Sequence, residues 1–508
     1  MTKKRKITLI CAGVTFILLL VSYYAFVRPL VNTNDSHTAG LELVEGETEG
    51  PNGRYLLIPH IERENIESIK VHNTGGDYAF VRDPQNNSTF MIDGYRGVGF
   101  SDDSFSALVV ASGYVIARER VTAEASSEDY TSYGLDTPLA SWVITTKGGD
   151  SYKVNLGSKL ISGDGYYAAV AGRDCIYVLS TTVENSILRP IEQYVNPLIC
   201  AGMTNETYFT ADNFTILHNG EPFLAIKQLP KSEYSNPDAM AETKLVYPEG
   251  YKTNDSYFFN IMMNMISFAG ESTAYLGTDE EKIAQYGLDD PYYSVYFTCA
   301  AEGASVEYYI FVSELQEDGY YYASSNLYNY TMIARFPKES FYWLESDLVN
   351  WVYNYPIMLN ISSVSSIYVD TGDRQINFDL THGTDSNKKA TLEISSDTDF
   401  SMNNSEVYNF RNFYKVLLSV QIMGNSELDE AEKEKLISED TDRMATIRFK
   451  MLDGEEYEYS FYRYSSRRAL LTVNGSGEFY VLADWIEKII SDTEKLLSGI
   501  EINPDGKN

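Results

Sequence analysis

The chain has 508 residues, 44% of them hydrophobic, which is long enough for more than one core and too apolar for a disordered polymer. Its 72 acidic and 40 basic side chains leave a formal net charge of -32. That field repels phosphate backbones and argues against nucleic acid as a partner. The 41 Tyr against 4 Trp lean the chain towards strand, because phenol rings fit pleated, half-buried surfaces.

In chain order, residues 1–6 carry Lys3, Lys4, Arg5 and Lys6, a basic flank of the kind that stays in the cytoplasm. Residues 7–27 are uncharged and about long enough to cross a hydrocarbon core as a helix. Tyr23, Tyr24 and Phe26 stand near its far end, as an interfacial belt would. The expectation is a single-pass cell-membrane protein. One N-terminal transmembrane helix would serve as a signal anchor, with the N-terminus cytoplasmic and the rest extracytoplasmic. A cleaved signal is the alternative, although Ser22-Tyr23-Tyr24-Ala25 makes a poor small-x-small site.

Residues 28–57 read as a linker without apolar period. The chain then repeats. Tyr133-Gly134-Leu135-Asp136-Thr137-Pro138 returns as Tyr286-Gly287-Leu288-Asp289-Asp290-Pro291, and Asp164-Gly165-Tyr166-Tyr167-Ala168 returns as Asp318-Gly319-Tyr320-Tyr321-Tyr322. Both landmarks recur at an offset of about 153 residues, the mark of a repeat architecture. The expected organisation is a first unit at 58–200, a second at 201–357, a degenerate third at 358–500 and a tail at 501–508. Helices are expected near 103–117, 255–268 and 407–420, the middle one apolar nearly all round, with a closing helix in each unit. The fold class is therefore α+β: a transmembrane helix followed by three related repeat units, each a mainly antiparallel sheet with packed helices. Gly134 and Gly287 are expected at positive φ as glycines following a helix, with Pro138 and Pro291 starting the extended run, so that Tyr133, Leu135, Tyr286 and Leu288 punctuate structure.

These turn motifs, with the Asp-Gly-Tyr-Tyr landmark and a strand such as Ile176-Tyr177-Val178-Leu179, resemble a bacterial family known as domain of unknown function 4340. The likeness covers about 60–200 and 205–355 and weakens over 360–500. It implies a membrane-anchored extracytoplasmic protein of the cell envelope. Some such proteins are encoded beside ABC-transporter genes of the gliding-motility type. The resemblance supplies no catalytic residue and no reaction.

The sequence carries no catalytic signature. His37, His60, His72, His218 and His382 are scattered, and no H-E-x-x-H pair, G-x-S-x-G elbow or phosphate loop occurs. Gly163-Asp164-Gly165 formally opens a dinucleotide pattern, but a strand follows where a helix is needed, so it reads as a hairpin turn. Glu314, Glu317 and Asp318 cluster near one turn without Ca²⁺-loop spacing and read as a solvated acidic loop. Cys11, Cys175, Cys200 and Cys299 form no C-x-x-C; a Cys175–Cys200 disulfide is conceivable. No cofactor or metal is expected. The candidate surface aromatics are Tyr166, Tyr167, Tyr320, Tyr321 and Tyr322, joined by Tyr328 and Tyr330. Alternation would set Tyr321 on one face of its strand and Tyr320 with Tyr322 on the other.

The leading expectation is a non-enzymatic accessory protein with a protein partner in the envelope, an auxiliary component of an ABC-transporter or cell-envelope assembly. One alternative is a cell-wall glycan-binding module using tyrosine platforms. A second is an envelope hydrolase with a carboxylate site.

Overall fold

The computed structural model describes residues 41–201, 210–229, 243–301, 304–397, 401–402, 407–440 and 442–506. It falls into two compact units, Met1–Tyr194 and Val195–Asn508.

In the first unit eight strands lie side by side. Their order is Phe90–Ile92, Gly76–Arg82, Ile66–Asn73, Ala140–Thr146, Ser151–Lys159, Gly165–Val170, Ile176–Ser180 and Glu119–Thr122. The second unit holds two large sheets. One runs Thr243–Tyr247, Glu221–Gln228, Thr210–His218, Tyr293–Ala301, Ala304–Val312, Tyr320–Ser325, Thr331–Pro337 and Ser272–Gly277. The other runs Ser401–Met402, Ala390–Ser396, Gln375–Thr384, Val364–Asp370, Arg443–Met451, Glu456–Arg463, Arg468–Val473, Ser476–Leu482 and Gly424–Asn425. Numbered along the chain within each sheet, the first two share one spatial order: three, two, one, five, six, seven, eight, four. The third sheet repeats that order and adds Ser401–Met402 at one edge. Neighbouring strands pair antiparallel, as at Val71 opposite Trp142, Ile216 opposite Val295 and Val369 opposite Ile447.

The expected α+β class is corrected to a mostly β chain. Sheets of eight, eight and nine strands make up the bulk of it, and the helices are few and short. The long helices Asp102–Gly113, Asp255–Met265 and Val407–Leu418 each follow the third strand of the shared order. The short ones, Ser127–Ser132, Glu280–Gln285 and Glu430–Glu439, each precede the fifth. Among the described residues a closing α-helix exists only in the third sheet's segment, Ala483–Leu497, where Ile486, Ile489 and Leu496 bury one face. The corresponding stretches of the first two are 3-10 turns, Thr181–Asn185, Ile191–Gln193, Lys338–Phe341 and Leu348–Trp351. Their prolines and bulky rings suit core plugs better than amphipathic helix: Pro190 caps one turn, and Phe341, Trp343 and Trp351 are buried. Helix Asp255–Met265 likewise buries only Phe258, Ile261, Met262 and Met265, while Met263 is 63% exposed.

The single-pass membrane placement is also corrected. No helix among the described residues is long and apolar enough to cross a membrane. The longest, Ala483–Leu497, has 15 residues and carries Asp484, Glu487, Lys488, Asp492, Glu494 and Lys495. At 1.5 Å per residue it spans roughly 22 Å against a core of about 30 Å. The flank at 1–6 and the span expected at 7–27, with Cys11 and His37, lie outside the described residues.

Aromatic side chains fill the cores. Phe80, Phe90, Phe100 and Phe105 meet in the first sheet, with centroids 4.7–5.2 Å apart in their closest pairs. Phe214 contacts Phe258, Trp343 and Trp351 in the second, and Phe378 contacts Phe410 and Phe413 in the third. Rings of this size carry most of the apolar burial, with edge-to-face contacts adding to it.

Two polar locks tie segments that are distant in the chain. Glu47, whose side chain is fully buried, accepts hydrogen bonds from Arg120 Nη1 at 2.8 Å, Tyr177 Oη at 2.7 Å and its neighbour Val44 N at 2.9 Å. Arg120 and Arg173 also donate to the carbonyls of Glu42 and Gly46, so residues 42–47 are strapped onto the edge of the first sheet. In the second unit Tyr251 is buried against Phe479, and its hydroxyl lies 3.1 Å from the Ser476 carbonyl and 3.4 Å from that of Leu471. The segment after strand Thr243–Tyr247 thus reaches into the Arg468–Leu482 hairpin of the third sheet.

Candidate binding site

The Tyr-Gly-Leu turns end the short helices. Ser126 and Asp129 cap Ser127–Ser132 reciprocally, which fixes its start. At its end Gly134 has φ +68°, its N–H donates to Thr131 O at 3.1 Å, and the Leu135 N–H donates to Tyr130 O at 2.7 Å. This is the Schellman pair of bonds, which satisfies carbonyls that a helix end leaves open. In the second turn Asp279 caps Glu280–Gln285, Gly287 has φ +69° and its N–H donates to Ala284 O at 2.9 Å. Leu135 then packs with Ala169 and Ile176, and Leu288 with Tyr275 and Ile333. Pro138 and Pro291 stand two residues ahead of strands Ala140–Thr146 and Tyr293–Ala301. In the third sheet Asp440, at φ +51°, takes the left-handed place after helix Glu430–Glu439.

Each turn brings its tyrosine onto a strand tyrosine. Tyr133 lies 4.3 Å from Tyr167, and Tyr286 lies 4.9 Å from Tyr322, both pairs tilted by about 45°. The letter match of Asp-Gly-Tyr-Tyr is therefore displaced by one residue. Tyr166 corresponds to Tyr321, not Tyr320: both are buried, and both hydroxyls donate to a carboxylate, Glu184 at 2.7 Å and Glu345 respectively. A lysine completes each group, Lys159 at 2.6 Å from Glu184 and Lys338 at 2.9 Å from Glu345. The cause lies in the hairpin, where Gly163 and Gly319, each at φ +80°, make the equivalent turn and the first hairpin is one residue longer.

Tyr166 and Tyr321 are thus corrected from surface candidates to core residues; Tyr321 is 1% exposed. Tyr167, Tyr320 and Tyr322 are half-buried. Tyr320 lies under the guanidinium of Arg335, 3.3 Å from its centroid. Tyr328 and Tyr330 stack on one another at 5.3 Å. The four described histidines do not converge: His72 pairs with Asp77, His60 lies beside Glu62, His382 bonds the Val364 carbonyl, and His218 sits between Tyr292 and Tyr293. Cys175 and Cys200 are buried thiols, not a disulfide.

Beside Tyr286 and Tyr322 an open pocket of about 330 Å³ is lined also by Gln285, Gln316, Glu317 and Asp318. Asp318 accepts from the Tyr320 amide at 3.1 Å, the Tyr322 hydroxyl at 3.1 Å and Arg335 at 3.2 Å. Partial burial opposes its charge, but these donors outweigh it and hold its carboxyl below the usual range. Burial first, then the bond to Asp318, pushes the Tyr322 phenol up. Glu317 is exposed and has no hydrogen bond or ion pair among the described residues. The matching lip of the first unit carries Ile161, fully exposed, and Asp164 is tied there to Arg118 at 2.6 Å. A second cavity of about 260 Å³ in the first unit is lined by His60, Glu62, Arg63, Val109, Val110 and Tyr114 among others. Its charges have partners, Glu62 with His60 and Arg63 with Asp102.

Sequence reasoning found the two tyrosine turns and the acidic cluster separately. It missed Gln285 and Gln316, and it could not join turn to hairpin without the strand register. No family model, curated protein or solved structure matches the chain.

Proposed function

We propose that the chain is a non-enzymatic binding protein, an accessory component that holds a protein partner within a larger assembly. The observation that carries this reading is the recurrence of one sheet order with a tyrosine pair at the same place in two copies. Repetition multiplies a surface, whereas catalysis needs one constellation of differing groups. The acid cluster supports the same reading. Asp318 is engaged by Arg335 and held below the usual carboxylate range, so it does not supply the raised, protonated carboxyl that a two-carboxylate glycoside hydrolysis uses as its acid. The glycan reading loses Tyr166 and Tyr321 to the core.

Chemical crosslinking of the chain in its native cells, followed by reciprocal capture of the crosslinked protein, tests the proposal. A single partner recovered in both directions supports it. Recovery of none, or turnover of a model substrate by the purified chain, overturns it.

A further inference from the structure

We propose that the pocket beside Tyr286 and Tyr322 seats a lysine ammonium from a basic segment of the partner. The inference rests on the binding-protein reading and names the chemistry of what is bound.

Every lining group suits a cation. Two tyrosine rings offer negative π faces, Glu317 offers a free carboxylate beside the Asp318 carboxylate that Arg335 already engages, and Gln285 and Gln316 offer amide oxygens. Among the described residues no cationic side chain lines the pocket. The fold already practises this recognition next door: Arg335 lies over the Tyr320 ring and donates to Asp318. On the same side of the sheet Lys282 Nζ stands 5.6 Å from the Tyr275 ring centroid. Arg335 answers one carboxylate of the pocket and leaves Glu317 unanswered. The net charge of -32 would draw a basic segment towards the chain over long range, and the pocket would fix where it docks.

The first unit supplies an internal contrast. It keeps the tyrosine pair, but Ile161 stands where Glu317 does and Asp164 is bound to Arg118 and Ser162. The tyrosine pair alone is therefore the shared structural part, and the free carboxylate is what sets the second unit apart.

The test is calorimetric titration of the full chain at low ionic strength with acetyl-tetralysine-amide. The same peptide acetylated on every side chain and a neutral tetrasaccharide serve as the other probes. Glu317→Gln removes the charge and keeps the shape, and Glu393→Gln removes an equal charge from an exposed strand position in the third sheet. Tetralysine is expected to bind the wild type, to bind Glu317→Gln about five-fold more weakly, and to bind Glu393→Gln as it binds the wild type. The acetylated peptide is expected not to bind. Equal weakening by both variants, binding of the acetylated peptide, or a tetrasaccharide that binds and is lost with Glu317→Gln would overturn the inference. A crosslinked partner captured equally by Glu317→Gln would overturn it too, while leaving the accessory-protein reading intact.

Discussion

Replacing Gly134 and Gly287 by alanine, one at a time, separates backbone strain from crowding at two nearly identical turns. Both glycines sit in the left-handed region, at φ +68° and +69°. An alanine there costs ~1–2 kcal/mol because its Cβ crowds the following carbonyl. That share is common to both positions. Around Gly287 the nearest atom to an added Cβ is Ser313 Cβ at 3.7 Å, an ordinary contact. Around Gly134 the added methyl would overlap Ser158 Oγ and stand 3.2 Å from Ser158 N. Overpacking of this kind costs about 1–3 kcal/mol. Gly287→Ala should therefore destabilise its turn by ~1–2 kcal/mol and Gly134→Ala by ~2–5 kcal/mol. Adding Ser158→Ala to Gly134→Ala should return much of the difference. Hydrogen exchange read by mass spectrometry over 127–135 and 280–288 measures each turn locally, so the two units need not unfold together. Equal losses at the two glycines, or no recovery with Ser158→Ala, would refute the reasoning.

Glu47→Ala leaves the nearly buried Arg120 guanidinium without its counter-charge, and breaking such a pair costs about 3–5 kcal/mol. Residues 41–50 should then be cut rapidly in limited proteolysis, and an unchanged cutting rate would count against the strap. Asp164 is held down to about 2 by Arg118 first and Ser162 next. A depressed carboxyl adds stability above its ordinary value of 3.8 and loses it as pH falls through about 2, so the Arg118 contact should open over that window. Carboxyl NMR should show the low midpoint, and Arg118→Ala should bring it back towards 3.8; a wild-type midpoint already there would rule out the contact in solution.

The turn motifs were legible because a glycine after a capped acidic helix has one common use, and the proline beyond it restricts the backbone to an extended run. The balance between sheet and helix was harder to read. Residues 338–351 hold Phe341, Trp343, Leu344 and Trp351, an apolar density that suits a helix or a core plug equally until the neighbouring strands are placed. Register was harder still. Asp164-Gly165 and Asp318-Gly319 match by letter, yet Gly163 and Gly319 make the turn, and one residue of slip exchanges the buried phenol for a half-buried one. The candidate site suffered most, because Glu317 acquires meaning only when the hairpin is set against Tyr286.

Tyr251 makes the last two sheets hostages of one another. A chain stopped after the second sheet would leave that phenol with nothing to shelter it, and the third sheet made alone would carry a ring-sized hollow beside Phe479 with the Ser476 carbonyl stranded in it. The natural scissors line between them is thus a false seam: severed there, each half should be stickier and less durable than the intact pair.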